Sequence, residues 1–80
     1  LKQRGAYYNG KATGRWQFFF ENGDIYKAGI FVDDREHGPW LFYNSDSNNV
    51  PARIINYLNG NRNGPLWEML AGQYMRYMVN

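Results

Sequence analysis

The sequence predicts an all-β fold, an elongated antiparallel meander of β-hairpin repeats with about seven short strands. Three observations carry this expectation. Residues recur at a fixed period: Gly5 and Gly29, Gly14 and Gly38, Trp16 and Trp40, and Phe18 and Phe42 are each separated by 24 positions. Aromatic side chains make up 19% of the 80 residues, and in "RWQFFF" Trp16, Phe18 and Phe20 alternate at the period of a strand. Polar turns containing glycine punctuate the chain at regular spacing, with Asn22-Gly23 the strongest short-range hairpin signal, expected to form a type I′ turn with positive φ at both positions.

The predicted strands follow in order, over residues 5–8, 15–20, 25–31, 39–43, 52–58, 65–71 and 74–79. The second returns through "ENGD" to "IYKAGIF", and residues 32–37 then connect to the next unit, closing on Gly38. A third copy lies at an offset of 26, where Phe31, Asp33, Asp34, Gly38 and Pro39 map onto Tyr57, Asn59, Gly60, Gly64 and Pro65. The two added residues fall in "NSDSNN", residues 44–49, a turn-rich stretch that absorbs an insertion. Leu66 then stands where Trp40 predicts a tryptophan, and Trp67 arrives one residue late. Either the register slips there or the last copy is atypical, as terminal repeats are. Gly72, Tyr74 and Arg76 echo Gly23, Ile25 and Lys27 at an offset of 49 and suggest a last strand. The alternative for that tail is a short helix with Tyr74, Tyr77 and Met78 on one face. The units are residues 5–28, 29–54 and 55–80 of one repeat module, and the leading Leu1 suggests a piece of a longer chain.

Composition narrows the function classes. A chain this short buries roughly 60% of the surface its unfolded form exposes, which leaves a thin core and little room for an enclosed pocket. The net charge of +2 and the scattered basic residues argue against nucleic acid. The absence of cysteine removes disulfides and thiolate metal sites. No apolar stretch approaches the roughly 20 residues of a spanning helix, and no signal segment is recognisable, so the chain reads as soluble with its compartment open.

The stretches "GAYYNGKATGRWQFFFENGDIYKAGIF", "GIFVDDREHGPWLFYNSD" and "INYLNGNRNGPLW" follow a pattern that resembles the MORN repeat, and more closely the bacterial MORN-like variety with units of about 24 residues found in antitoxin-type repeat proteins. The resemblance covers residues 5–67, with the first unit most faithful. The second unit departs from it by carrying Asp33 and Asp34 where the family prefers Asn-Gly. What the resemblance implies is a hairpin array acting as a scaffold or interaction module. Its second implication is an antitoxin or immunity protein that neutralises a partner toxin, testable by co-expression rescue.

Among individual residues, Gly14, Gly38 and Gly64, like the turn glycines Gly23 and Gly60, read as structural. Positive φ at the first three, or close packing of a neighbouring aromatic on bare backbone, would explain them. Trp16, Trp40 and Trp67, with Phe18 and Phe42, are expected on one face, either as a core ladder or as an open aromatic groove for a partner. Tyr7, Tyr26, Tyr43 and Tyr57 are expected on the opposite face or its rim. The partner-binding candidates are therefore Trp16, Phe18, Trp40, Phe42, Trp67, Tyr26 and Tyr43. "DDREH", residues 33–37, is the one cluster resembling catalytic or metal chemistry, but it coincides with a turn that carries no acid in the other copies. No catalytic residue, metal or cofactor is assigned. Lys11, Arg15, Arg35 and Arg62 recur at similar places and would touch acidic lipid headgroups only weakly. Protein partners are expected, including strand addition at a terminal edge.

Overall fold

A computed structural model describes residues 2–45 and 50–79, with side chains assigned through Tyr77. The chain forms seven strands: β1 (Lys2–Tyr8), β2 (Lys11–Phe19), β3 (Ile25–Val32), β4 (Arg35–Phe42), β5 (Arg53–Leu58), β6 (Asn61–Leu70) and β7 (Gln73–Val79). They make one antiparallel sheet in sequential order, a meander. Its Cα extents of 43 × 34 × 13 Å are those of a twisted single layer. The tail is strand β7 and not a helix. The predicted insertion at residues 44–49 lies mostly outside the described residues, since 46–49 are not among them.

The predicted strands are all present, but β2, β4 and β6 each begin four residues earlier than the pattern suggested. Residues 32–37 are no long connection. Asp33 and Asp34 form a two-residue turn between Val32 and Arg35, just as Asn9-Gly10, Asn59-Gly60 and Ala71-Gly72 do in the other hairpins. All eight turn residues have positive φ, Asp33 at 50° and Asp34 at 68° included, which is the type I′ geometry that matches the twist of paired strands. Aspartate tolerates this left-handed region better than most residues, so the missing glycine costs little. Asn22-Gly23, in contrast, is no type I′ turn. Only Gly23 is left-handed, and the loop has three residues, closed by the Gly23 amide on the Phe20 carbonyl and the Phe20 amide on the Asp24 carbonyl. The Asn22 side chain accepts from the Asp24 amide at 2.9 Å and completes it.

Past the first three of these turns, the second strand bulges, whereas β6 and β7 pair without interruption. Between the Ala6–Thr13 and Arg4–Gln17 pairs, one residue of β1 is opposed by three of β2, and the same shift recurs between Ile30–His37 and Ala28–Leu41 and between Tyr57–Arg62 and Ile55–Leu66. Gly14, Gly38 and Gly64 sit in these bulges at φ of 73°, 78° and 88°. A Cβ on Gly14 would meet nothing within 4 Å, so the glycine is required for its backbone conformation and not for space. Gly14→Val is therefore expected to cost about 1–3 kcal/mol and Gly14→Asn less, since a β-branched residue resists positive φ more than asparagine does. Thermal melts of the two variants check the order. Pro39 and Pro65 follow their bulge glycines, where a missing backbone N–H is tolerated.

The bulge also aims the tryptophans. Trp16 and Trp40 lie flat across Gly5 and Gly29 of the preceding strand, where any Cβ would intrude into the indole ring. Close packing on bare backbone, expected at Gly14 and its equivalents, thus occurs at Gly5 and Gly29. The indole N–H of Trp40 donates to the Ile30 carbonyl at 3.0 Å, and that of Trp16 to the Ala6 and Thr13 carbonyls at 3.2 Å each. Backbone acceptors at the bulge are thereby satisfied. In the third unit Ile55 and Leu66 are directly paired in place of glycine and tryptophan, and the Asn56 side-chain amide donates to the Pro65 carbonyl at 2.9 Å. The register does not slip; the last unit closes its bulge with different chemistry.

Neighbouring units are latched at their turns. The Asp34 amide donates to the Ala12 carbonyl at 3.1 Å, and the Gly60 amide to the Glu36 carbonyl at 2.9 Å, equivalent positions one repeat apart. Asp34 adds a second bond, its carboxylate accepting from the Ala12 amide at 2.6 Å. Asp34→Ala is expected to destabilise by about 1–3 kcal/mol, because it leaves a part-buried N–H without its partner, and Asp34→Asn by less. Urea unfolding of both variants tests the role.

Candidate functional site

Alternation along the strands sorts every side chain to one of two faces. Cross-strand pairs place Trp16 with Gly29, Phe18 with Lys27, Lys27 with Phe42, and Trp40 with Ile55 on what we call the front. The front is the core. Trp16 is 4% exposed, Trp40 1% and Ile55 3%, with Ala12 also buried. Ring contacts run along it from Tyr7 to Trp16 at 5.1 Å, Trp16 to Phe31 at 5.7 Å and Phe31 to Trp40 at 4.9 Å, all edge-on. The Lys27 ammonium lies 4.8 Å from the Phe18 ring and 5.8 Å from Trp40, so its stem and charge cover the ladder from solvent. Arg53 covers Phe42 in the same way at 5.7 Å.

Of the two arrangements expected for these aromatics, Trp16 and Trp40 adopt the core ladder and not the open groove. Trp16 and Trp40 offer no ring surface to a partner, because the sheet uses them as its own interior. Phe18 and Phe42 lie on the same face, half-buried beneath the two cations. Trp67 does not join them. It pairs with Ile54, which pairs with Leu41, and so belongs to the back, since Leu66 holds the register position of Trp40. Tyr7 and Tyr57 were expected opposite the tryptophans and instead lie with them, Tyr7 paired with Ala12 and Tyr57 packed against the core. Tyr26 stacks edge-on with Phe20 at 5.1 Å beside the three-residue loop.

The back has a different chemistry. Ala28, Leu41, Ile54 and Trp67 form one cross-strand row, with Ile30 and His37 in another. Ile30, Val32 and Leu58 are exposed at 41%, 47% and 47%, a high value for aliphatic side chains in regular strands. An open groove of about 530 Å³ runs over β1 to β4, floored by Ile25, Ala28 and Leu41 and flanked by Arg4, Arg15 and Tyr43. The Arg4 guanidinium rests 6.0 Å from the Phe19 ring. Burial, with the neighbouring Tyr74 adding to it, pushes the Tyr43 hydroxyl above its ordinary value of 10.0, so it is a neutral hydrogen-bonding group there at physiological pH. Of the basic residues expected along one edge, Lys11, Arg15 and Arg35 occupy back positions and Arg62 a front one, opposite Tyr57.

Sequence reasoning missed Ile30, Ala28, Leu41 and Arg4. The alternation of Tyr26 to Phe31 signals Ala28 and Ile30, while Leu41 and Arg4 join them only through the cross-strand pairing, across bulges of one residue against three that preserve which side a residue faces. The "DDREH" cluster resolves into turn and strand: Asp33 and Asp34 are the turn, Glu36 points to the front opposite Phe31, and His37 to the back opposite Ile30. Among the described residues no group of three His, Asp or Glu gathers as a metal site, and no helix is long and apolar enough to cross a membrane. No family model, curated protein or solved structure matches the chain.

Proposed function

We propose that the chain is a non-catalytic protein-binding module, a scaffold component that presents the back of its sheet to a protein partner. The observation that carries this reading is the asymmetry of a single layer. Over β2 to β5 one face is closed by an aromatic ladder, while aliphatic side chains on the other stay half-exposed; toward the two ends of the sheet Tyr7, Met75 and Tyr77 are exposed on the front as well. A sheet ordinarily buries its apolar face against another element, and a partner supplies that element here. The use of Asp33 and Asp34 in a turn and an inter-unit latch gives them a structural role and supports the non-catalytic reading. The resemblance of the repeat to MORN-like units agrees with it. The outer edge of β7, which has one strand neighbour among the described residues, offers a further place for strand addition.

Immobilised chain is expected to retain a defined protein from an extract of its source cells, identified by mass spectrometry. Ile30→Asp combined with Val32→Asp releases that protein while keeping the far-ultraviolet circular dichroism of the parent. Retention of nothing above a bead control would end the proposal.

A further inference from the structure

We infer that the groove over β1 to β4 takes an acidic amphipathic helix, whose apolar side chains rest on Ile25, Ala28 and Leu41 while its carboxylates engage Arg4 and Arg15. The inference rests on the protein-binding reading and names the chemistry of the partner.

Charge separation between the two faces is the first ground. The two carboxylates carried by strands, Glu36 and Glu68, both face front, paired with Phe31 and Arg53. Among the described residues, back-facing strand positions carry Lys2, Arg4, Lys11, Arg15, Arg35 and Arg76 and no acid. A chain whose total charge is only +2 therefore presents a distinctly cationic back. Overall charge conceals this, because the acids among the described residues sit in turns, loops and the front.

The second ground is the composition of the groove. Its lining is mainly apolar, with Gln17 between Arg4 and Ala28, and it includes two arginines, whose guanidiniums are planar forks that match a carboxylate through paired hydrogen bonds. Such a surface asks for apolar and anionic groups on one ligand. A second copy packed back to back does not answer it, since it would press Arg4 and Arg15 against like charges in a desolvated interface. A helix fits the dimensions. Four adjacent strands span about 14 Å at the usual strand spacing, which two to three helical turns cross. Helix on sheet is also the common way to cover an open face.

The test uses the full 80-residue chain and three fluorescent probes: a helical Glu/Leu peptide of about 18 residues, its Lys/Leu counterpart, and vesicles of phosphatidylcholine with phosphatidylserine. The Glu/Leu peptide is expected to bind at least tenfold more tightly than the Lys/Leu peptide. Arg4→Glu with Arg15→Glu should abolish the preference, and Arg4→Gln with Arg15→Gln should weaken it with less effect on folding. A thermal melt of each variant confirms the fold. Equal binding of both peptides, no response to the arginine variants, or arginine-dependent binding of the vesicles in place of the peptide would overturn the inference. Concentration-dependent dimerisation abolished by the same variants would overturn it as well. If the extract partner is retained equally by parent and arginine variants, this inference fails while the protein-binding reading stands. If nothing is retained at all, it is the latter that fails.

Discussion

Trp40→Ala is expected to remove about 3–5 kcal/mol of folding stability, the usual cost of deleting a fully buried large aromatic. For a domain of this length the total is about 4–12 kcal/mol, so the variant is largely unfolded near the upper end of that loss. Three contributions combine at this position. The indole is 1% exposed, it touches Phe31 and Phe18, and its N–H satisfies the Ile30 carbonyl. Trp67→Ala provides the contrast. Trp67 is only partly buried, lies on the back and bears Arg76 over its ring at 5.9 Å, and its loss is expected to cost less than half as much. Chemical denaturation of the pair, read by circular dichroism, checks the order. Equal losses would contradict the assignment of the two tryptophans to opposite faces.

Gly29→Ile is the second large effect. The new side chain would enter the space occupied by the Trp40 ring, and because both groups are held by strands, the clash cannot be relieved by a flexible end swinging away. A destabilisation of about 3 kcal/mol or more follows, at or above the usual upper range for overpacking. The third unit shows how the clash is relieved, since it carries Ile55 and Leu66 at the equivalent positions in an unchanged register. Adding Trp40→Leu to Gly29→Ile should therefore restore stability relative to the sum of the two single changes, with a favourable coupling of about 1–3 kcal/mol. A double-mutant cycle from urea midpoints measures it. Additive losses would mean that the glycine-tryptophan and isoleucine-leucine pairs are not interchangeable solutions to one packing problem.

The limits of what could be read from residues alone follow from the same geometry. The 24-residue offset exposed the period, because Gly5 with Trp16 and Gly29 with Trp40 are contact pairs that must move together. The seven strands were legible because aromatic alternation is strong in the first two units, and the glycine and turn spacing carries the pattern into the third. Turn chemistry was legible only in part. The type I′ turn expected at Asn22-Gly23 is a three-residue loop, whereas Asn9-Gly10 and Asn59-Gly60, which carry the same dipeptide, form that turn, and Asp33-Asp34 adopts it without glycine. The face of Trp67 was beyond reach, since a single position decides it and only the pairing of Ile55 with Leu66 reveals which. The back-face groove stayed hidden for a related reason. Its members are scattered over β1 to β4, and they converge only once the bulges at Gly14 and Gly38 are counted through without a change of face and the irregularity at Tyr26 has brought Ile25 opposite Phe19.

The turn latches give the array a mechanical polarity. Beyond the strand ladders that join the units, the turn of unit two is latched to unit one by two hydrogen bonds, one donated by the Asp34 amide and one accepted by its carboxylate, whereas the turn of unit three is latched to unit two by the single Gly60 amide. Glycine has no side chain with which to add the second. In a linear stack, where each unit is supported chiefly by its neighbours, such a difference decides where separation begins. The sheet should peel from its C-terminal end, with β6 and β7 exchanging their amide hydrogens faster than β2 and β3. Placing an aspartate at residue 60 is expected to supply the second bond and to slow exchange in β6 and β7, so one turn position biases which end of the molecule opens first.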